Sequence, residues 1–150
     1  MADPTSVRYL PIRDGLLALL QDWEALSGVK RWVTDEPAFT QVAASQAPAV
    51  AVLFADPAGE ERAAWAGNGR DHSYYLELRV VVRALDSGLC EDLLFGYVEA
   101  IEDALRADPT LGGLVRNAVL GSVRRVKHSE QGAFVGQAVL EVSTESRVSS

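Results

Sequence analysis

The sequence predicts an α+β domain: a mainly antiparallel sheet of about four strands with two helices packed on one face. Three observations predict it. Ile12, Leu16, Leu19, Leu20 and Trp23 recur at the spacing of one helical stripe. Tyr74, Leu76, Leu78, Val80, Val82 and Ala84 alternate with Tyr75, Glu77, Arg79, Val81 and Arg83, as in an antiparallel strand with one face buried. A second helical stripe, Cys90, Leu94, Tyr97, Val98, Ile101 and Leu105, then separates that strand from two further extended stretches. The resulting order is helix, one or two strands, long loop, strand, helix, hairpin, which segregates the helices to one face of the sheet.

The first helix is expected from Pro11 to Leu26. Pro11 suits its first turn, Asp14 lies near its positive end, and Gly28 stops it. A short strand at Lys30 to Val33 follows, then a mixed loop from Thr34 to Gln46. The apolar run Pro48 to Phe54 reads as a buried strand, with Pro48 at its start or on an edge because it has no ladder donor. Ala55 to His72 is a long polar insertion holding the turn signal Gly67-Asn68-Gly69. The alternating strand, Ser73 to Leu85, is long, at ~43 Å for ~13 residues.

Asp86 or Ser87 caps the second helix, with Glu91 and Asp92 in its first turns. Glu102 and Arg106 form an i, i+4 pair, and Asp108-Pro109 ends the helix. Gly112-Gly113 leads into strands at about Leu114 to Lys127 and Ala133 to Arg147, joined by a turn at Ser129 to Gly132. In the second, Phe134, Ala138, Leu140 and Val142 share a face against Gln137, Glu141, Ser143 and Glu145. In the first, Leu120, Val123 and Val126 fall out of phase, which predicts a bulge.

A chain of 150 residues fits one domain, residues 1–150, with flexible ends expected at 1–9 and 148–150. Its 48% hydrophobic and 23% charged residues are the balance of a globular protein, which excludes a disordered chain. No apolar run approaches the ~20 residues of a membrane span, and the opening Met1-Ala2-Asp3-Pro4 does not read as a secretory signal. The single cysteine, Cys90, cannot form an internal disulfide and suits a reducing cytosol. A net charge of −7, with no basic run longer than Arg124-Arg125, argues against gripping a nucleic-acid backbone.

Candidate chemistry is sparse. Asp71-His72-Ser73 and His128-Ser129-Glu130 contain triad residue types, but neighbours on an extended chain point different ways and cannot relay a proton to one another. The histidines and Cys90 lack metal-ligand spacing. Gly67-Asn68-Gly69-Arg70 lacks the lysine and following helix of a phosphate loop. Cys90, on an apolar stripe, reads as a small buried hydrophobe. No catalytic, cofactor or metal site is expected, and the chain reads as a non-enzyme. Trp65 reads equally as a core-covering indole or as an anchor for a partner subunit. The face bearing Tyr75, Glu77, Arg79, Val81 and Arg83 reads as a solvated sheet face or a subunit interface.

The order of elements and several local phrases resemble the tail terminator (tail completion) proteins of long-tailed bacteriophages and tail-like particles. The matching stretches are Ile12-Arg13-Asp14-Gly15-Leu16-Leu17, Pro48-Ala49-Val50-Ala51-Val52, Leu76 to Arg83, Ala107-Asp108-Pro109-Thr110-Leu111-Gly112-Gly113-Leu114-Val115, and Val135 to Val142. Together they cover nearly the whole chain, and none is diagnostic by itself. The resemblance implies a virion protein, present in the host cytoplasm during assembly. It would form a ring, usually hexameric, at the head-proximal end of the tail. The ring's partners would be copies of itself, the tail tube protein, the head–tail connector or neck protein, and a sheath if the tail is contractile. DNA would pass through without specific binding, and no membrane is involved. Sheets tend to line the channel in that arrangement. Trp65, Arg70, Tyr75, Glu77, Arg79 and Arg83 then become candidates for subunit or tube contacts, and Gln137 and Glu141 for the lumen. The alternatives are a neck or head-completion connector and a small bacterial α+β ligand-binding domain with one apolar pocket.

Overall fold

The computed structural model describes residues 9–35, 46–55, 71–130 and 132–147. The expected flexible ends, most of the loop after Val33 and most of the insertion holding Trp65, Gly67-Asn68-Gly69 and Arg70 lie outside the described residues.

Helix α1 (Tyr9–Asp22) buries Ile12, Leu16 and Leu20. It begins two residues earlier than expected, and Pro11 still falls in the first turn, where backbone N–H groups have no intrahelical partner. It also ends earlier. Trp23 turns extended at ψ 119°, and Glu24–Leu26 forms a separate 3-10 turn. The break lets Trp23 pack against the core while Leu26 is buried within it. Asp14 lies beyond the first turn and pairs with Arg13 at 3.0 Å, so its expected interaction with the helix end is not made.

Strands β1 (Arg31–Val33) and β2 (Ala49–Phe54) run parallel, with Arg31 opposite Ala49 and Val33 opposite Ala51. Both join one sheet, so it has five strands among the described residues rather than about four. Pro48 precedes β2 and its carbonyl accepts from Lys30 N at 2.8 Å. Its missing donor therefore costs no ladder bond, and β2 is an inner strand. Strand β3 (Asp71–Ala84) pairs antiparallel with β2 and, along its whole length, with β5 (Ala133–Arg147). Helix α2 (Ser87–Ala107) is capped by Asp86, whose carboxylate accepts from Leu89 N at 2.8 Å. Strand β4 (Asn117–Glu130) forms a hairpin with β5 and gives the order β1-β2-β3-β5-β4.

The hairpin turn is tighter than expected: Ser129 and Glu130 already pair with Phe134 and Ala133, and Gly132 carries the positive φ of 80°. The expected bulge is present. Leu120 pairs with Val142 and Val123 with Leu140, so Gly121 and Ser122 together oppose Glu141. The extra residue returns Val123 to the face of Leu120 and leaves Val126 on the other. Asp71-His72-Ser73 lies within β3 rather than at a loop end.

Between α2 and β4 the chain turns through three residues of positive φ, Leu111, Gly112 and Gly113. Leu111 is a non-glycine in that region, and its side chain is buried in the core. Asp108 holds the turn, accepting from Gly112 N at 2.8 Å and from Thr110 Oγ1 at 3.0 Å. Residues 114–116, expected in the strand, belong to this connection.

Helices α1 and α2 lie on one face. Ile12, Leu16, Leu20, Cys90, Leu94, Ile101 and Leu105 share a core with Val50, Val52, Leu76, Leu78, Val80, Val82, Ala138, Leu140 and Val142. A second, smaller cluster on the opposite face contains Val33, Ala49, Ala51 and Leu53, with Val81 packed against it. β2 is therefore buried on both sides, as its unbroken apolar run implies.

Candidate interface on the helix-free sheet face

Strand alternation sends Tyr75, Glu77, Arg79, Val81 and Arg83 to the face opposite α1 and α2, which carries no helix among the described residues. The β3–β5 register brings Gln137 and Glu141 beside them: Val81 opposes Gln137, Glu77 opposes Glu141 and Arg79 opposes Val139. Tyr75, Glu77, Arg79, Arg83, Gln137 and Glu141 thus form one patch across two central strands. Trp65 and Arg70 lie outside the described residues. Val81 does not add to an open surface, because it packs on the second apolar cluster.

The electrostatics of the patch centre on Glu77. It stands directly opposite Glu141, and like charges so placed repel. Arg79 Nε donates to Glu77 Oε2 at 2.8 Å, which places a guanidinium beside the carboxylate pair. The Glu77 and Arg79 side chains are 19% and 28% exposed, so this is a partly covered ion pair rather than a fully solvated one. Gln137 and Glu141 remain exposed. Beside Val139, across β5, lies Arg124 of β4, also exposed and on the same face. The patch mixes both charge signs with half-buried Tyr75 and Val139, a composition suited to a polar protein contact.

A second feature escaped the sequence reading: the seam between α2 and β4. Lys127 Nζ donates to Ser87 Oγ and to Glu91 Oε1, each at 2.6 Å. The Arg125 guanidinium lies 4.0 Å over the Phe95 ring. Two grooves follow the seam. One is lined by Glu91, Leu94, Phe95, Arg125, Val126 and Lys127. The other, of about 570 Å³, has Leu105, Pro109, Leu120 and Val123 on its walls and Glu102 and Arg106 at its rim. Arg124-Arg125 drew notice in the sequence as the longest basic run. The partners that tie Arg125 and Lys127 down lie on a helix 30 to 40 residues away, and only the register of β4 brings them together.

No group of metal-ligating side chains is assembled among the described residues. Cys90 is buried, its Sγ donating to Phe134 O at 3.6 Å, and burial pushes its thiol above the usual range. No helix among the described residues is long and apolar enough to cross a membrane. No protein-family model matches the chain, and no curated protein matches it.

Proposed function

We propose that this protein is a tail terminator of a long-tailed phage or tail-like particle, and acts as a structural subunit rather than an enzyme. Copies join into a closed hexameric ring that caps the tail tube, ends its polymerisation and offers a docking face to the head connector. The observation that carries the reading is the helix-free face of β3 and β5. It is a long face of mixed charge, partly covered and without a helix among the described residues, on the opposite side from the main core. The resemblance along the chain supports the same reading, and a net charge of −7 accords with a passage that DNA crosses without sticking.

The mechanism is geometric. A heterologous contact closes into a ring when its rotation returns the last copy to the first. A closed ring that copies one face of a tube unit, but not the other, binds a growing tube once and blocks the next addition.

Negative-stain imaging of the purified chain with tube protein tests this. Rings seated on tube ends, and tubes that stop growing, are the expected result. Glu141→Lys, an exposed change on the helix-free face, should weaken ring formation while the monomer's circular dichroism stays unchanged. A chain that stays monomeric beside bare tube ends overturns the proposal. One that ignores tube and rings only on the portal-side connector favours a neck protein instead.

A further inference from the structure

We propose that the free edge of β4 is a docking strand for an extended acidic segment of a partner protein, which adds a further strand to the sheet. The outer backbone edge is not part of the β3–β5 patch, although Arg124 projects on the same face as that patch, and the inference stands whether or not the chain forms rings.

β4 is the outermost strand at its end of the sheet and runs for 14 residues. Its outward backbone groups have no strand partner among the described residues. Such an edge is a template for another extended chain, and proteins usually blunt it with charge and bulges. Here the blunting is selective. Arg125 and Lys127 turn to the helix side and are tied to Phe95 and to Ser87 and Glu91. Val119, Val123 and Val126 stay exposed along the strand. Arg124 is exposed on the other side, with no ion-pair partner among the described residues.

Charge decides the occupant. β4 and the residue before it contain four basic residues, Arg116, Arg124, Arg125 and Lys127, against one acid at the far end, Glu130, in a chain whose net charge is −7. A second β4 laid antiparallel across this stretch sets like charges against each other, which disfavours self-pairing. An acidic strand meets the opposite sign.

The flanking groove sets the alternation. On an incoming strand, every second side chain faces the helix side, where Leu105, Pro109, Leu120 and Val123 line an apolar groove. The intervening side chains fall beside Val119, Arg124 and Val126. Backbone bonds supply affinity in this mode and alternate side chains supply specificity. The fitting sequence therefore alternates apolar with acidic residues.

Fluorescence anisotropy with the full chain and a labelled valine–glutamate alternating peptide of about eight residues, the length of an ordinary strand, tests this. It should bind at least about tenfold tighter than the valine–lysine version, and Arg124→Glu should remove that preference. Two N-methylated versions, one blocking each edge of the peptide, separate ladder pairing from charge alone, and one of them should bind about tenfold more weakly. Equal binding of the acidic and basic peptides overturns the proposal. So does full binding by both N-methylated peptides, and so does light scattering that shows the edge occupied by a second copy.

Discussion

Gly136 sits on β5 where α2 crosses it. A methyl group at its Cα would lie 3.1 Å from Cys90 Sγ, 3.1 Å from Val82 Cγ2 and 3.3 Å from Leu94 Cδ2. All three neighbours are core residues, so none can swing aside into solvent. Gly136→Ala should therefore destabilise the protein by about 1–3 kcal/mol through overpacking, read as a lower urea midpoint. An unchanged midpoint would mean that α2 lifts freely from the sheet. Cys90 reports on the same spot. Burial raises its thiol pKa, while the nearby Lys127 charge works against that and Glu91 works with it. A raised value keeps the neutral thiol, and the associated stability is present at lower pH and lost as pH rises through the folded value. Alkylation at about pH 8 should thus be slow in the native protein and fast after unfolding, since the thiolate is the reactive form. Rapid native alkylation would place the thiol at the surface.

Between elements, the bond from Lys127 straps β4 to the first turns of α2. The Glu91 carboxyl is held below its ordinary value, chiefly by the hydrogen bond from Lys127 and next by that ammonium's charge. A depressed carboxyl contributes stability above the unfolded pKa and loses it as pH falls through the folded one, so the strap slackens in acid. An NMR titration should find the Glu91 midpoint below that of a free glutamate, and Lys127→Met should return it to the ordinary range. An unmoved midpoint would show that the strap does not form in solution. The elements were largely legible in advance because their signals are local. β5 matches its expected bounds, α2 starts at its expected cap, and the bulge showed itself as a phase slip between Leu120 and Val123. α1 is shorter than its apolar stripe implies, because Trp23 and Leu26 continue the stripe while the backbone breaks at Trp23. β4 was read too early because Leu114 and Val115 are apolar like a strand but belong to a positive-φ turn.

At the scale of the molecule, the proposed ring depends on which surfaces the two helices leave open. Among the described residues the helices lie on one side, which leaves β3 and β5 presenting Tyr75, Glu77, Arg79, Arg83, Gln137 and Glu141 together. Alternation in the sequence separated these residues from the core but could not place β5 next to β3, since β4 lies between them in the chain and outside them in the sheet. A ring built on this face uses a partly covered ion pair and a like-charge opposition within each copy. Changing exposed Glu141 therefore alters the shared surface without touching the main core. β4 borders that patch through Arg124, and its outer edge has no strand partner among the described residues.

The sequence by itself determined the class of fold, the faces of the long strands and the bulge, because each is written in the spacing of neighbouring residues. Only the tertiary structure decided the parallel pairing of β1 with β2, the second apolar cluster around Ala49 and Ala51, the meeting of Glu77 with Glu141 and the strap from Lys127 to Glu91. Those depend on strand order and register, which are set by how distant segments pack. Local periodicity tells which side of a strand is buried, but not which strand will lie beside it.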